Sequence, residues 1–188
     1  VSHVTQRFHP LIRRLWPTDQ SKLIDHFHRL DAETRRLRFG GIVTDDFVDD
    51  YADQLLSADA IVFGAFLEGE LRGVAELRGV WDSWPRNRSA EVALLVEPDW
   101  QEGGIGEALF SRLIAAAQNR RLKSLHMLCL RENGPMRALA KKHHASLEMD
   151  VSNIEATLAP AWPTPLSLFE EAFGHPLNYL PEMFYSTR

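Results

Sequence analysis

The stretch VEPDWQEGGIG, Val96 to Gly106, restricts the folds open to this chain more than any other. It joins an apolar run, AEVALLV (90–96), to a helical stripe of Ile105, Leu109, Leu113 and Ala116. The run is too apolar for an exposed edge strand and reads as a short buried one. Between strand and helix, three glycines fall at 103, 104 and 106. Glycines leave successive backbone N–H groups unshielded, and a helix N-terminus adds partial positive charge, so the arrangement suits a phosphate. A plain strand–helix turn is the alternative. The P-loop string GxxxxGK[ST] is absent, and the G-x-G-x-x-G fingerprint fails because Leu109 stands three residues after Gly106.

Around this unit the chain alternates strand and helix patterns. LIRRLW (11–16) fits a first strand. TDQSKLIDHFHRL opens with Thr18 as a cap and aligns Leu23, Ile24, Phe27 and Leu30. LDAETRRLRFGG is a basic patch closed by two glycines, and TDDFVDDYADQLL is a helix capped by Thr44. AIVFGAFLEGELRGVAELRGV reads as a hairpin turning at Glu68-Gly69. SLHMLCL (124–130) is a second buried strand, and NGPMRALAKKHH a helix capped by Asn133 with Pro135 in its first turn. ASLEMDV and NIEATLA close the pattern as a strand pair. The expected order is β-α-α-β-β-β-α-β-α-β-β, an α/β mixed sheet with helices on its faces. We divide the chain into a leader (1–9), one domain (10–158) and a proline-rich C-terminal extension (159–188) carrying LSLFEEAF, a wrap-around or interface element that leaves room for a homodimer.

Composition supports a single globular domain, with 45% hydrophobic and 25% charged residues. The formal net charge of -5 argues against nucleic acid as a partner. One cysteine, Cys129, excludes an internal disulfide and makes a reducing cytoplasm the default. No long apolar run or signal-peptide pattern points to a membrane or to export. His26 and His28, two apart on a helix, diverge and read as solvent-facing rather than as a metal pair, so no metal is expected.

VEPDWQEGGIGEALFSRLIAAA resembles the acetyl-coenzyme A loop of the GNAT acyltransferases, whose signature is Q/R-x-x-G-x-G/A. Gln101, Gly104 and Gly106 fill it, and the element order from about Leu11 to Leu158 matches that family's twisted mixed sheet flanked by helices. The resemblance implies acetyl-CoA as cosubstrate, its pantetheine arm along Leu94, Leu95 and Val96. It places the diphosphate on the amides of Gln101, Glu102, Gly103, Gly104, Ile105 and Gly106, and a contact to the arm at Asn133, which also serves as a helix cap. Many members have a basic residue in this loop. Here Gln101 and Glu102 stand there, so Arg131 or Arg137 is a candidate cation.

Transfer to an amine requires removal of a proton, because a lysine-type amine has a pKa of about 10.4. Glu91, the ionisable group on AEVALLV, is the candidate base, its pKa expected to rise through burial. The alternative has Glu91 at a frayed strand end, paired with Arg86 or Arg88. Many relatives supply a Tyr as acid in the helix after the Asn; Ala140 stands there instead. His143 and His144 occupy positions where relatives often have Leu-Gly. LDAETRRLRFGG together with AEVALLV is similar to the bacterial protein-lysine acetyltransferase type. Arg36 and Phe39, with Arg35 and Arg38, are then candidates to border the acceptor, and Trp81 and Trp84 to wall it; a solvated patch and a loop anchor are the alternatives. Three functions stay open: an N-acyltransferase acting on a primary amine of a small molecule or protein lysine, a non-catalytic acyl-CoA sensor, and a phosphate binder unrelated to coenzyme A.

Overall fold

Strands β1 (Leu11–Arg14), β2 (Ala60–Leu67), β3 (Glu70–Arg78) and β4 (Ser89–Val96) form an antiparallel half-sheet. The second half is β5 (Ser124–Leu130), β6 (Ser146–Met149) and β7 (Asn153–Leu158), and the spatial order is β1-β2-β3-β4-β5-β7-β6. The computed structural model describes residues 9–57, 59–79 and 88–174. The β2–β3 turn at Glu68 and Gly69 has φ of 53° and 84°, the two-residue geometry that suits the right-handed twist of a hairpin.

Helices α1 (Gln20–His28), α2 (Ala32–Phe39) and α3 (Asp45–Ser57) lie between β1 and β2. Helices α4 (Ile105–Asn119) and α5 (Gly134–Lys142) follow β4 and β5, and α6 (Pro165–Phe173) follows β7. Strand alternation divides the apolar residues between two cores. Val92 and Val96 face a core with Leu109, Phe110 and Leu113 of α4. Leu95, Val74 and Val62 face the other, with Leu23 and Phe27 of α1 and Val48 of α3. Phe27 and Phe110 are fully enclosed, and burial of each such side chain contributes about 1.5–3 kcal/mol.

Two local expectations change. Thr18 does not cap α1; it sits in a one-turn 3-10 segment, Pro17–Asp19, and Asp19 occupies the N-cap position. The basic patch is a helix of its own. Asp31 accepts from the Thr34 amide at 2.6 Å to start α2, and Gly40, at φ 75°, ends it in the left-handed conformation. No residue of α2 is fully buried, so no apolar stripe announces it. Thr44 caps α3 as expected, accepting from the Phe47 amide at 3.2 Å.

Helix α6 turns its polar side inward. Arg112 of α4 donates to the Glu171 and Ala172 carbonyls, each at 3.0 Å, and Arg120 pairs with Glu171 at 2.8 Å. Ser167, also buried, donates to Asn119 at 2.6 Å. The cations stand at the negative end of the helix, where they are favourable. Leu166, Phe169 and Phe173 remain exposed.

Candidate active site

Strands β4 and β5 run parallel but stay paired over only three positions, from Ser89 opposite Ser124 to Glu91 opposite His126. Beyond that row the remainders of the two strands diverge, and a cleft of about 380 Å³ opens. Leu94, Leu95 and Val96 line it from β4, and Asn133, Met136, Leu139 and Lys142 from the other lip. Thr34, Leu37 and Arg38 of α2 border it as well.

At one end the cleft meets the glycine loop through Gln101, Glu102, Gly104 and Gly106. The Gln101 side chain donates to the Val96 carbonyl at 2.9 Å and folds the loop back on its strand. Glu102 and Gly104 both take positive φ, 61° and 87°. Among the described residues, the amides of Glu102 through Glu107 have no backbone acceptor; the next to bond is Ala108, to the Gly104 carbonyl at 3.0 Å. Free amides at a helix start form a site for an anion. Gly103 and Ile105 are buried and do not line the cleft.

The charge near the loop comes from α4 and α5. Glu107 accepts from His143 at 2.9 Å and lies 3.3 Å from Lys142. The His143 hydrogen bond holds the Glu107 carboxyl below its ordinary range despite partial burial. Lys142 lines the cleft, whereas Arg131 and Arg137 do not; Arg137 instead donates to the Arg131 carbonyl at 3.2 Å. His144 takes φ 59°, the left-handed conformation that a glycine would adopt there.

A second cavity of about 340 Å³ adjoins the first at Arg38, which lines both. Glu91, Val92 and Ala93 form its β4 wall, Arg78 and Tyr51 one side, and His126, Leu128 and Glu155 the other. Behind it lies a charged network that sequence reasoning did not find. Glu76, 1% exposed, accepts from Arg38 at 2.6 Å and from the Tyr51 hydroxyl at 2.5 Å. Burial opposes charge on Arg38, but the Glu76 carboxylate outweighs it and raises the guanidinium pKa. Burial and the charge of Glu76 push the Tyr51 hydroxyl up to about 12. The signal was present as Glu76, an acid inside the apolar second half of β3, on the same face as Val74 and Arg78.

Glu91 reaches the second cavity but is exposed, so the burial expected to raise its pKa is not found. Of its suggested partners, Arg88 forms no ion pair with it, and Arg86 lies outside the described residues, as do Trp81 and Trp84. Arg36 is engaged elsewhere, 2.8 Å from Glu33 and 2.5 Å from Glu132, and lines neither cavity. Phe39 packs edge-on to Tyr51 and Phe47 in an aromatic cluster and lines neither cavity itself. Cys129 is buried, which raises its thiol pKa away from a reactive thiolate. His26 is not solvent-facing: it is fully enclosed and its Nδ1 donates to Glu97 at 2.9 Å, the carboxylate having no proton to give. No described helix is long and apolar enough to cross a membrane.

The fold recurs in known proteins. No curated protein sequence matches the chain. Among solved structures, the GNAT domain of S. lividans PAT superposes with a TM-score of 0.68 at 18% identity, covering 80% of this chain and 90% of that one. A PaiA N-acetyltransferase from Thermoplasma acidophilum, in complex with coenzyme A, gives 0.61 at 19% identity over 81% and 99%. The ribosomal-protein-S18-alanine N-acetyltransferase of Escherichia coli gives 0.62 at 17% over 83% and 97%. These likenesses concern the fold. Residues 25–145 match the family model described as Acetyltransferase (GNAT) family, and the chain therefore belongs to the GNAT acetyltransferase family.

Proposed function

We propose that the protein is an acetyl-CoA-dependent N-acetyltransferase that moves an acetyl group to a primary amine by direct attack in a ternary complex. The observation that carries this reading is the cleft between β4 and β5, which ends at backbone amides without backbone acceptors. Its length of extended β4 backbone, Leu94 to Val96, suits a pantetheine arm that pairs with a strand. The amides of Glu102, Gly104 and Gly106 then hold the diphosphate, with Lys142 supplying the cation missing from the loop sequence. Asn133 contacts the arm while capping α5 through the Met136 amide at 3.1 Å.

The thioester then lies near Ala93, where the two cavities meet, and the acceptor enters through the second. Glu91 removes the amine proton, directly or through one water. Its exposure supports the water-mediated route. No tyrosine takes the place of Ala140, and a thiolate with pKa of about 8.5 leaves without a dedicated acid. The test is thiol release from acetyl-CoA across an amine panel. Glu91→Gln is expected to lose turnover and keep cofactor affinity; full activity in that variant excludes Glu91 as base.

A second reading, a non-catalytic acyl-CoA sensor, draws support from Glu102 and Glu107, two carboxylates that border the proposed diphosphate site. Binding of acetyl-CoA without thiol release for any amine would favour it. The free thiol of Cys129 suits a cytoplasmic setting.

A further inference from the structure

The charges around the second cavity fall into settled and unsettled groups. Arg38 is bound to Glu76, and Glu155 accepts from His126 at 3.0 Å. Arg78 and Glu91 are left. They stand directly opposite each other across β3 and β4, yet no ion pair joins them to each other or to any described residue. Arg78 makes only a long contact, 3.4 Å, to the Tyr51 hydroxyl, with its guanidinium over the Tyr51 ring at 5.5 Å. Tyr51 is itself hydrogen-bonded to Glu76 and Arg38, so Arg78 rests on a side chain that is already engaged. Leu128, 72% exposed on β5, offers an apolar surface in the same cavity.

We propose that this cavity is a subsite for an apolar α-amino acid acceptor, its carboxylate on Arg78, its amine toward Glu91 and its side chain on Leu128. A guanidinium grips a carboxylate through two parallel hydrogen bonds, which fixes the acceptor's orientation. Residues directly opposite on antiparallel strands have Cβ atoms about 4.5–5.5 Å apart. That spacing matches a carboxylate and an amine on one carbon better than the ends of a long diamine. The inference rests on the acetyltransferase reading: in the transfer step the amine nitrogen bonds to the acetyl carbon, the carbon–sulfur bond breaks, coenzyme A leaves as thiolate, and the amine proton passes to Glu91.

The test compares L-leucine, L-leucinamide and 3-methylbutylamine as acceptors, with a lysyl peptide and a polyamine alongside. The amide is the less basic amine and holds more of the neutral nucleophile, so a preference for leucine runs against intrinsic reactivity. The expected result is kcat/KM for leucine about tenfold or more above the amide and the amine, the scale of one charge-assisted contact. Arg78→Met should bring leucine down to their level, raising KM above all, while acetyl-CoA still stabilises the variant thermally; Arg78→Lys should restore part of the preference. The inference is overturned by an amide or amine used equally well, by a peptide or polyamine that outruns leucine, by no α-amino acid turning over, or by Arg78→Met lowering every acceptor alike. Absence of acetyl-CoA binding, or of thiol release with every amine, is a separate outcome that overturns both this subsite and the acetyltransferase reading.

Discussion

Glu76→Gln isolates the network that holds α2 over both cavities. The substitution keeps shape and removes the charge that compensates Arg38, whose side chain is only 10% exposed. Removing one partner of a buried ion pair costs about 3–5 kcal/mol, because the other charge stays behind without compensation. At about 2–4 °C per kcal/mol for a chain of this size, the melting temperature should fall by roughly 6–20 °C. Replacing the whole network, with Arg38→Met, Glu76→Leu and Tyr51→Phe together, removes the desolvated charges and the hydroxyl that depend on each other. That triple variant should regain at least half of the loss. Urea denaturation gives the stabilities, and acetyl-CoA titration reports on α2, because Thr34, Leu37 and Arg38 border the proposed cofactor cleft. A loss below about 1 kcal/mol for Glu76→Gln, or a triple variant no more stable than the single one, would refute the reasoning.

Other consequences follow from single positions. Gly104→Ala places a side chain at φ 87°, where nothing crowds a Cβ; the cost of about 1–2 kcal/mol is therefore conformational. Its acetyl-CoA affinity, followed by calorimetry, should fall as the loop amides turn away. Asn133→Ala removes the α5 cap and should cost about 1 kcal/mol in urea denaturation, and weaker acetyl-CoA binding in the same variant would separate the cofactor role from the cap. Acid should weaken the fold in two stages. Burial lowers the His26 pKa more than Glu97 raises it, so the unfolded chain binds that proton first and stability drops below the ordinary value of 6.5. Burial would raise the Glu97 pKa, but hydrogen bonds from His26, Arg72 and Arg29 hold it at about 2, so its contribution is lost as pH falls from 4.5 toward 2. Urea midpoints between pH 4 and 8 should show the upper stage disappear in His26→Gln.

What the sequence showed and what it hid divide along a physical line. Features made by neighbours in the chain were legible: the apolar run of β4, the glycine loop, the Glu68-Gly69 hairpin, and the Thr44 and Asn133 caps. Each depends on residues a few positions apart. Helix α2 escaped because it is tied down by charge rather than by an apolar stripe: Arg35 to Asp45, Arg36 to Glu132 and Arg38 to Glu76. Such pairs leave no periodic trace. The same holds for His26 and Glu97, which meet across 71 positions in the sequence, and for Arg38 and Glu76, which meet across 38. Within the loop, residue identity pointed to the candidate site but not to the facing of its members: Gly103 and Ile105 turn inward while Glu102 lines the cleft at positive φ. The acceptor side was the least legible. Its cavity is assembled from β3, β4, β5, β7, α2 and α3, and of its lining residues only Glu91 and Arg38 were singled out from the sequence.

The central claim is that the backbone amides from Glu102 to Glu107 hold the diphosphate of acetyl-CoA. Titration of isotope-labelled protein with acetyl-CoA, followed by amide NMR, addresses it residue by residue. The account predicts saturable downfield shifts and slowed hydrogen exchange at Glu102, Gly104 and Gly106. Shifts confined to other surfaces, or none with the cofactor at millimolar concentration, would contradict it.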